Sequence, residues 1–276
     1  MAEIELGVGT VEYRDTGGDG PVMVLLHGLL MDETLWDAVI PDISRNFRVV
    51  APTLPLGAHR RPVRADADLS LRGTAETTTE LLERLDLRAV TLVGNDTGGA
   101  VAQLVAAASP RVQRLVLISC EAFDNLPPGL TGKTVAALGR LSPGLFKAFM
   151  QQMRLKPMRR LPIAFGWLTK RGDAATRAWM EPILTRPGIA RDAVRALRSL
   201  FADRSVLLEA AKDLREFDRP ALVVWAAGDR VMPPEHGRRL AELLPRGKLV
   251  IVEDTATLIP LDQPKRLAEL LQPRSW

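Results

Sequence analysis

Cysteine is almost missing. Cys120 is the only one in 276 residues, so no disulfide can form within the chain and a reducing compartment suits it. Tyrosine is as scarce, with Tyr13 alone. There are three histidines, His27, His59 and His236, too far apart in sequence to suggest the tight spacing of a metal site. Aromatic residues make up 5% and form no stacking pattern, which argues against a nucleic-acid binder. No apolar run reaches the ~18 residues needed to span a bilayer. The opening MAEIELGVG has no basic stretch followed by an apolar one, so neither a secretory leader nor a membrane partner is expected, and the expected location is cytoplasmic. No glycine-rich dinucleotide fingerprint follows the first strand, so no cofactor is expected. The net charge of +4 comes from arginines scattered among acids, with one denser patch at KPMRRLP, 156–162.

What remains is an ordinary apolar inventory of 46%, enough for a large core. VEYRD at 11–15 has the pattern of a half-buried strand. PVMVLLHG (21–28), FRVVAPTLP (47–55), AVTLVGN (89–95), VQRLVLISC (112–120), PALVVWAAGD (220–229) and GKLVIVED (247–254) are apolar without clean alternation. Such runs belong to strands covered on both faces. Segments of helical spacing separate them, among them LWDAVIPDI, TAETTTELLERLDL and HGRRLAELLP. The fold class is therefore α/β, a mostly parallel central sheet flanked by helices. The strand rhythm stops at 121 and resumes near 219. The economical organisation is a core of 1–120 and 219–276 with an inserted helical cap, 121–218.

The sharpest motif is LVGNDTGGA, 92–100. A strand, a tight Gly-containing turn and a helix of small residues form an elbow, and Asp96 sits at its tip. Glycines at 94, 98 and 99 let strand and helix approach closely. A carboxylate there can attack carbon to form an ester, or act as a base. The plain alternative is a helix N-cap. The amides of Leu29, after HG at 27–28, and of Thr97 would form an oxyanion hole. Asp229, just past a strand, stands where an acid orients a histidine, or simply caps a loop. His27 is expected to hold its loop, and His236 to face solvent or pack.

These motifs resemble the α/β-hydrolase superfamily, in particular the aspartate-nucleophile branch of haloalkane dehalogenases and epoxide hydrolases. HG at 27–28, GNDTGG at 94–99, GDRVMPP at 228–234 and PLDQP at 260–264 occur in the expected order. The resemblance also implies three things this sequence does not supply. Family members carry Gly-His after the last strand, and here DTATLIP puts Thr257 at that position. Threonine cannot accept a proton near neutral pH. Dehalogenases place Trp after the nucleophile, and here it is Thr97. Epoxide hydrolases use cap tyrosines, and Tyr13 is far from the cap.

One histidine could compensate. PTLPLGAHRRP, 52–62, lies in a loop that borders the pocket in this fold, so His59 is a candidate base and Arg60 and Arg61 candidate anion holders. Glu121, Asp124 and Asn125 are polar groups at the seam between core and cap. Trp36, Phe123, Phe149, Trp167 and Trp179 are candidates for an apolar chamber. Three functions follow. The first is an atypical hydrolase of a small, largely apolar substrate, with Asp96 as nucleophile or acid–base group and His59 in place of the missing histidine. The second is a small-ligand-binding protein on a disabled hydrolase fold. The third is a cofactor-free lyase or isomerase. A monomer or homodimer is expected.

Overall fold

The computed structural model describes residues 1–272, so positions 273–276 of the expected core lie outside the described residues. Eight strands form one sheet: β1 (Ala2–Leu6), β2 (Gly9–Asp15), β3 (Val22–Leu26), β4 (Arg48–Pro52), β5 (Val90–Asn95), β6 (Val112–Ile118), β7 (Ala221–Ala226) and β8 (Gly247–Val252). Their order is β1-β2-β4-β3-β5-β6-β7-β8. β1 and β2 are an antiparallel hairpin, and β2 runs antiparallel to β4. From β4 to β8 every pairing is parallel. The apolar, β-branched strands β5 and β7 are buried along their whole length, as strands covered on both faces must be. The short, charge-rich β1 is largely exposed at the sheet edge. Its Ile4 and Leu6 alternate with glutamates, a pattern too short to be distinctive in sequence.

Helices cover both faces. Leu71–Arg84 begins at Ser70, whose hydroxyl accepts from the Gly73 amide as a cap should. LWDAVIPDI, expected to be helical, yields only a 3₁₀ turn at Glu33–Trp36 and one α-turn at Ile40–Ile43. Between β6 and β7 the described residues hold helices and no strand, the main ones being Gly129–Leu138, Pro143–Gln152 and Ile189–Leu200. TRAWMEPIL, one helical run in the sequence, bends at Trp179 into Asp173–Ala178 and Met180–Thr185. The last helix of the insertion, Val206–Asp213, packs on Thr97–Ala108, which covers the sheet.

Candidate active site

β5 ends at Asn95 and the helix Thr97–Ala108 starts two residues later, leaving Asp96 as the sole turn residue. Its backbone sits at φ 55°, ψ −134°. That region strains any residue with a side chain. The neighbours enforce it. Asp96 N–H donates to Ser119 O at 3.1 Å, and Asn95 Nδ2 donates to Ile118 O and to Thr257 O, each at 2.9 Å. A Cβ on Gly98 would collide with the carbonyls of Leu26 and His27, and one on Gly28 would lie 2.6 Å from Asp96 Cβ. The HG turn is thus pressed against the Asp96 side chain, and only glycine leaves room.

The Asp96 carboxylate is buried, and Oδ1 accepts from the Thr97 amide at 2.6 Å and the Thr97 hydroxyl at 3.0 Å. Burial raises its pKa. The Thr97 bonds and the Leu29 amide pull the other way. The two amides expected to form an oxyanion hole therefore meet on this carboxylate. Thr97 Oγ1 also lies 2.8 Å from Glu121 Oε1. Glu121, just after β6, is buried. Its carboxyl is pushed well above the usual range, first by burial and then by the charge of Asp96.

Above these two acids lies a cavity of about 60 Å³. Leu29, Asp96 and Glu121 form its polar end, and insertion residues such as Val135, Phe149, Met150, Phe165 and Phe201 close the rest. Thr131, the remaining polar side chain in the wall, donates to Pro162 O. Among the described residues no Lys, Arg or His lines the cavity. Ile163, 37% exposed, marks where it nears the surface.

Asp229 follows β7 and is held tightly. Oδ1 accepts from the Val231 amide at 2.9 Å, the Met232 amide at 2.8 Å and Thr257 Oγ1 at 2.9 Å. Oδ2 is buried without a partner. Burial pushes this carboxyl up to about 6, with those three donors and the Ser119 hydroxyl opposing.

His59 goes elsewhere. The ring is buried, its Nδ1 accepts from Gly57 N at 3.3 Å, and Nε2 faces Asp192 Oδ2 at 3.7 Å. Asp192 belongs to the insertion helix Ile189–Leu200. His59 does not line the cavity, so the expectation that it overhangs Asp96 finds no support in its contacts. Arg60 is locked among Glu12, Asp32 and Glu33, and Arg61 pairs with Glu3, so neither serves as an anion holder at the cavity.

The other expected wall residues also find different places. Trp36 and Trp179 are fully buried outside the wall, the latter donating to Thr34 Oγ1. Phe123 packs edge-on to His236 and under Arg239. Asp124 is exposed, Asn125 Nδ2 donates to Val231 O, and Trp167 lies under Arg230. Only Phe149 of the aromatic set reaches the cavity. His27 holds its loop as expected, with Nε2 accepting from the Leu54 amide and Nδ1 donating to Gly28 O. Among the described residues no group of three or more His, Cys, Asp and Glu could hold a metal, and no helix is long and apolar enough to cross a membrane.

Residues 21–264 match the family model described as alpha/beta hydrolase fold. The chain belongs to this family. An uncharacterized protein of Mycobacterium tuberculosis is 26% identical, with 92% of this chain and 75% of that protein covered. A pimeloyl-[acyl-carrier protein] methyl ester esterase of Aeromonas hydrophila is also 26% identical, with 92% and 95% covered. An alpha/beta hydrolase fold protein of Burkholderia ambifaria superposes with a TM-score of 0.80 at 22% identity, over 99% of this chain and 97% of that one.

Proposed function

We propose that the chain is a cofactor-independent hydrolase of a small, neutral, largely apolar substrate, with Asp96 as its nucleophile. The elbow geometry carries the proposal. An ordinary N-cap aspartate has extended backbone and accepts from the second or third helical amide. Asp96 has φ 55° and accepts from the first, Thr97. Such strain is kept where the surroundings impose it, most often at functional sites.

Both Thr97 bonds fall on Oδ1, so Oδ2 is the oxygen that would attack carbon. The attacked carbon's bond to its leaving atom breaks with the electron pair going to that atom, and an ester forms on Asp96. When water then adds to the ester carbonyl, the Thr97 and Leu29 amides would support the oxyanion. Among the described residues the cavity wall has no cation to hold an anionic substrate near the Asp96 charge.

A second reading, a binding protein on a disabled hydrolase, is favoured by one observation: Thr257 is bonded to Asp229 where a water-activating histidine would be. Intact-protein mass spectrometry separates the two. The protein would be incubated with terminal alkyl halides, epoxides and small esters, beside Asp96→Ala. A mass increase or product formation in the wild type, absent from Asp96→Ala, is expected. Reagents that bind the cavity yet leave neither adduct nor product would put the binding reading first.

A further inference from the structure

Thr97 Oγ1 lies 3.0 Å from Asp96 Oδ1 and 2.8 Å from Glu121 Oε1. A hydroxyl carries one hydrogen. It cannot donate to two carboxylates at once, so one of these acids must bring a proton of its own. Asp96 is the better anion, since the Thr97 and Leu29 amides both donate to it. Glu121 has the shared hydroxyl and its own amide, and its Oε2 is buried with no hydrogen-bond partner. The titratable group that acts on it is Asp96, and among the described residues no cation lines the cavity. Two adjacent negative charges without a cation are disfavoured, so one proton stays between them. The donor chain then runs from Glu121 Oε1–H to Thr97 Oγ1, and from Thr97 Oγ1–H to Asp96 Oδ1.

We infer that Glu121 is a neutral acid that gives its proton to the leaving oxygen of a substrate attacked by Asp96, and then takes one back from water. This rests on Asp96 being the nucleophile. With an epoxide, Asp96 Oδ2 bonds to a ring carbon, the C–O bond breaks onto oxygen, and the Glu121 proton goes to that oxygen. The products are a hydroxyalkyl ester on Asp96 and a Glu121 carboxylate. Water then adds to the ester carbonyl and gives a proton to Glu121. The ester C–O bond breaks onto oxygen, the hydroxyl that water left on the carbon gives its proton to the departing alkoxide, a diol leaves, and both acids return to their starting forms. The coupling has a useful sign. Attack removes the negative charge of Asp96, and with it part of what holds the proton on Glu121. Glu121 becomes a stronger acid as the leaving oxygen comes to need its proton.

Infrared spectroscopy reads the proton without any substrate. At mildly alkaline pH, where Asp229 is ionised, the wild type should show the stretch of a buried neutral carboxyl, and Glu121→Gln should lose it. Thr97→Val, which deletes the shared hydroxyl, should shift that stretch rather than abolish it. Identical spectra for wild type and Glu121→Gln would show Glu121 ionised and overturn the inference. An unshifted stretch in Thr97→Val would overturn the donor chain.

The chemical arm is Asp96 alkylation followed by intact mass. With a terminal epoxide, Glu121→Gln should slow alkylation ~100-fold or more, the usual scale of a lost general acid. With a primary alkyl iodide, whose leaving group takes no proton, alkylation of the same variant should be nearly unaffected, while its epoxide adduct should persist longer than in the wild type. Equal slowing with both reagents would make Glu121 a packing residue and overturn its acid role. If the wild type takes neither reagent, the nucleophile reading fails and the role of Glu121 in it fails too. The infrared arm would still decide where the proton sits.

Discussion

Two buried aspartates face the same end of the sheet and are treated in opposite ways. Asp96 has strained backbone, a single neighbouring residue supplying both bonds to Oδ1, and a cavity beside it. Asp229 has three donors on one oxygen, no place in the cavity wall, and a threonine in the direction where a histidine would stand. Under the proposed function the first corner would supply what nucleophilic attack needs, and the second would hold an orienting acid without a group to orient. The difference separates making an ester from resolving it, and the two can be tested apart.

The largest effect should come from rebuilding the second corner. In Thr257→His the new ring would meet Asp229, whose Oδ2 is without a partner. The Thr257 main chain is already tied to the elbow through Asn95 Nδ2. If water activation is what the second corner lacks, the lifetime of an Asp96 ester should fall by ~10²–10⁴-fold, the contribution typical of a positioned base. The decay of the adduct mass gives this directly. An unchanged lifetime in a folded variant would mean that the comparison puts the missing base in the wrong place.

Next is the cost of keeping Asp229. Its carboxyl is raised from 3.8 to about 6 by burial. The folded protein therefore holds this proton more tightly than the unfolded chain does. The contribution favours folding below pH 3.8 and is lost as pH rises through about 6. The gap corresponds to about 3 kcal/mol. Asn cannot ionise, so the stability of Asp229→Asn relative to wild type should improve by roughly that amount between acidic and neutral pH. Urea unfolding at several pH values measures it. A difference that does not change with pH would show that Asp229 is charged without penalty, and the contrast with Asp96 would then rest on backbone geometry alone.

Much of this contrast is legible in sequence, and the reason differs by element. The parallel strands show because residues buried on both faces must be apolar throughout, as in β5 and β7. The elbow shows because Gly94, Gly98 and Gly99 are demanded by close contacts that no other residue fits. Thr257 draws notice by its place in the loop after β8, but its bond to Asp229 does not show in the sequence. The cavity wall does not show. Val135 and Met150 lie on helices whose apolar residues both pack and line, and helical spacing cannot tell these uses apart. The tryptophans mislead because the largest rings are buried in packing instead. Glu121 is visible only as an acid at a seam. Its pairing with Asp96 depends on the rotamer of Thr97.

The smallest effect concerns His59, which the sequence places near the pocket and the fold turns toward the insertion. What turns it is Asp192, far along the chain. Burial alone would push the Asp192 carboxyl up, but its pairing with His59, Arg191 and the Val63 amide holds it below the usual range. His59 thus pins the loop after β4 to the helix Ile189–Leu200. Loss of one such buried polar contact costs about 1–3 kcal/mol. His59→Gln should therefore lower the melting temperature by a few degrees. Alkylation of Asp96 and decay of its ester should stay close to wild type once the variant is folded. A His59→Gln protein that forms the adduct normally but cannot clear it would make His59 the base after all. The empty seat beside Asp229 would then be a relocation and not a loss.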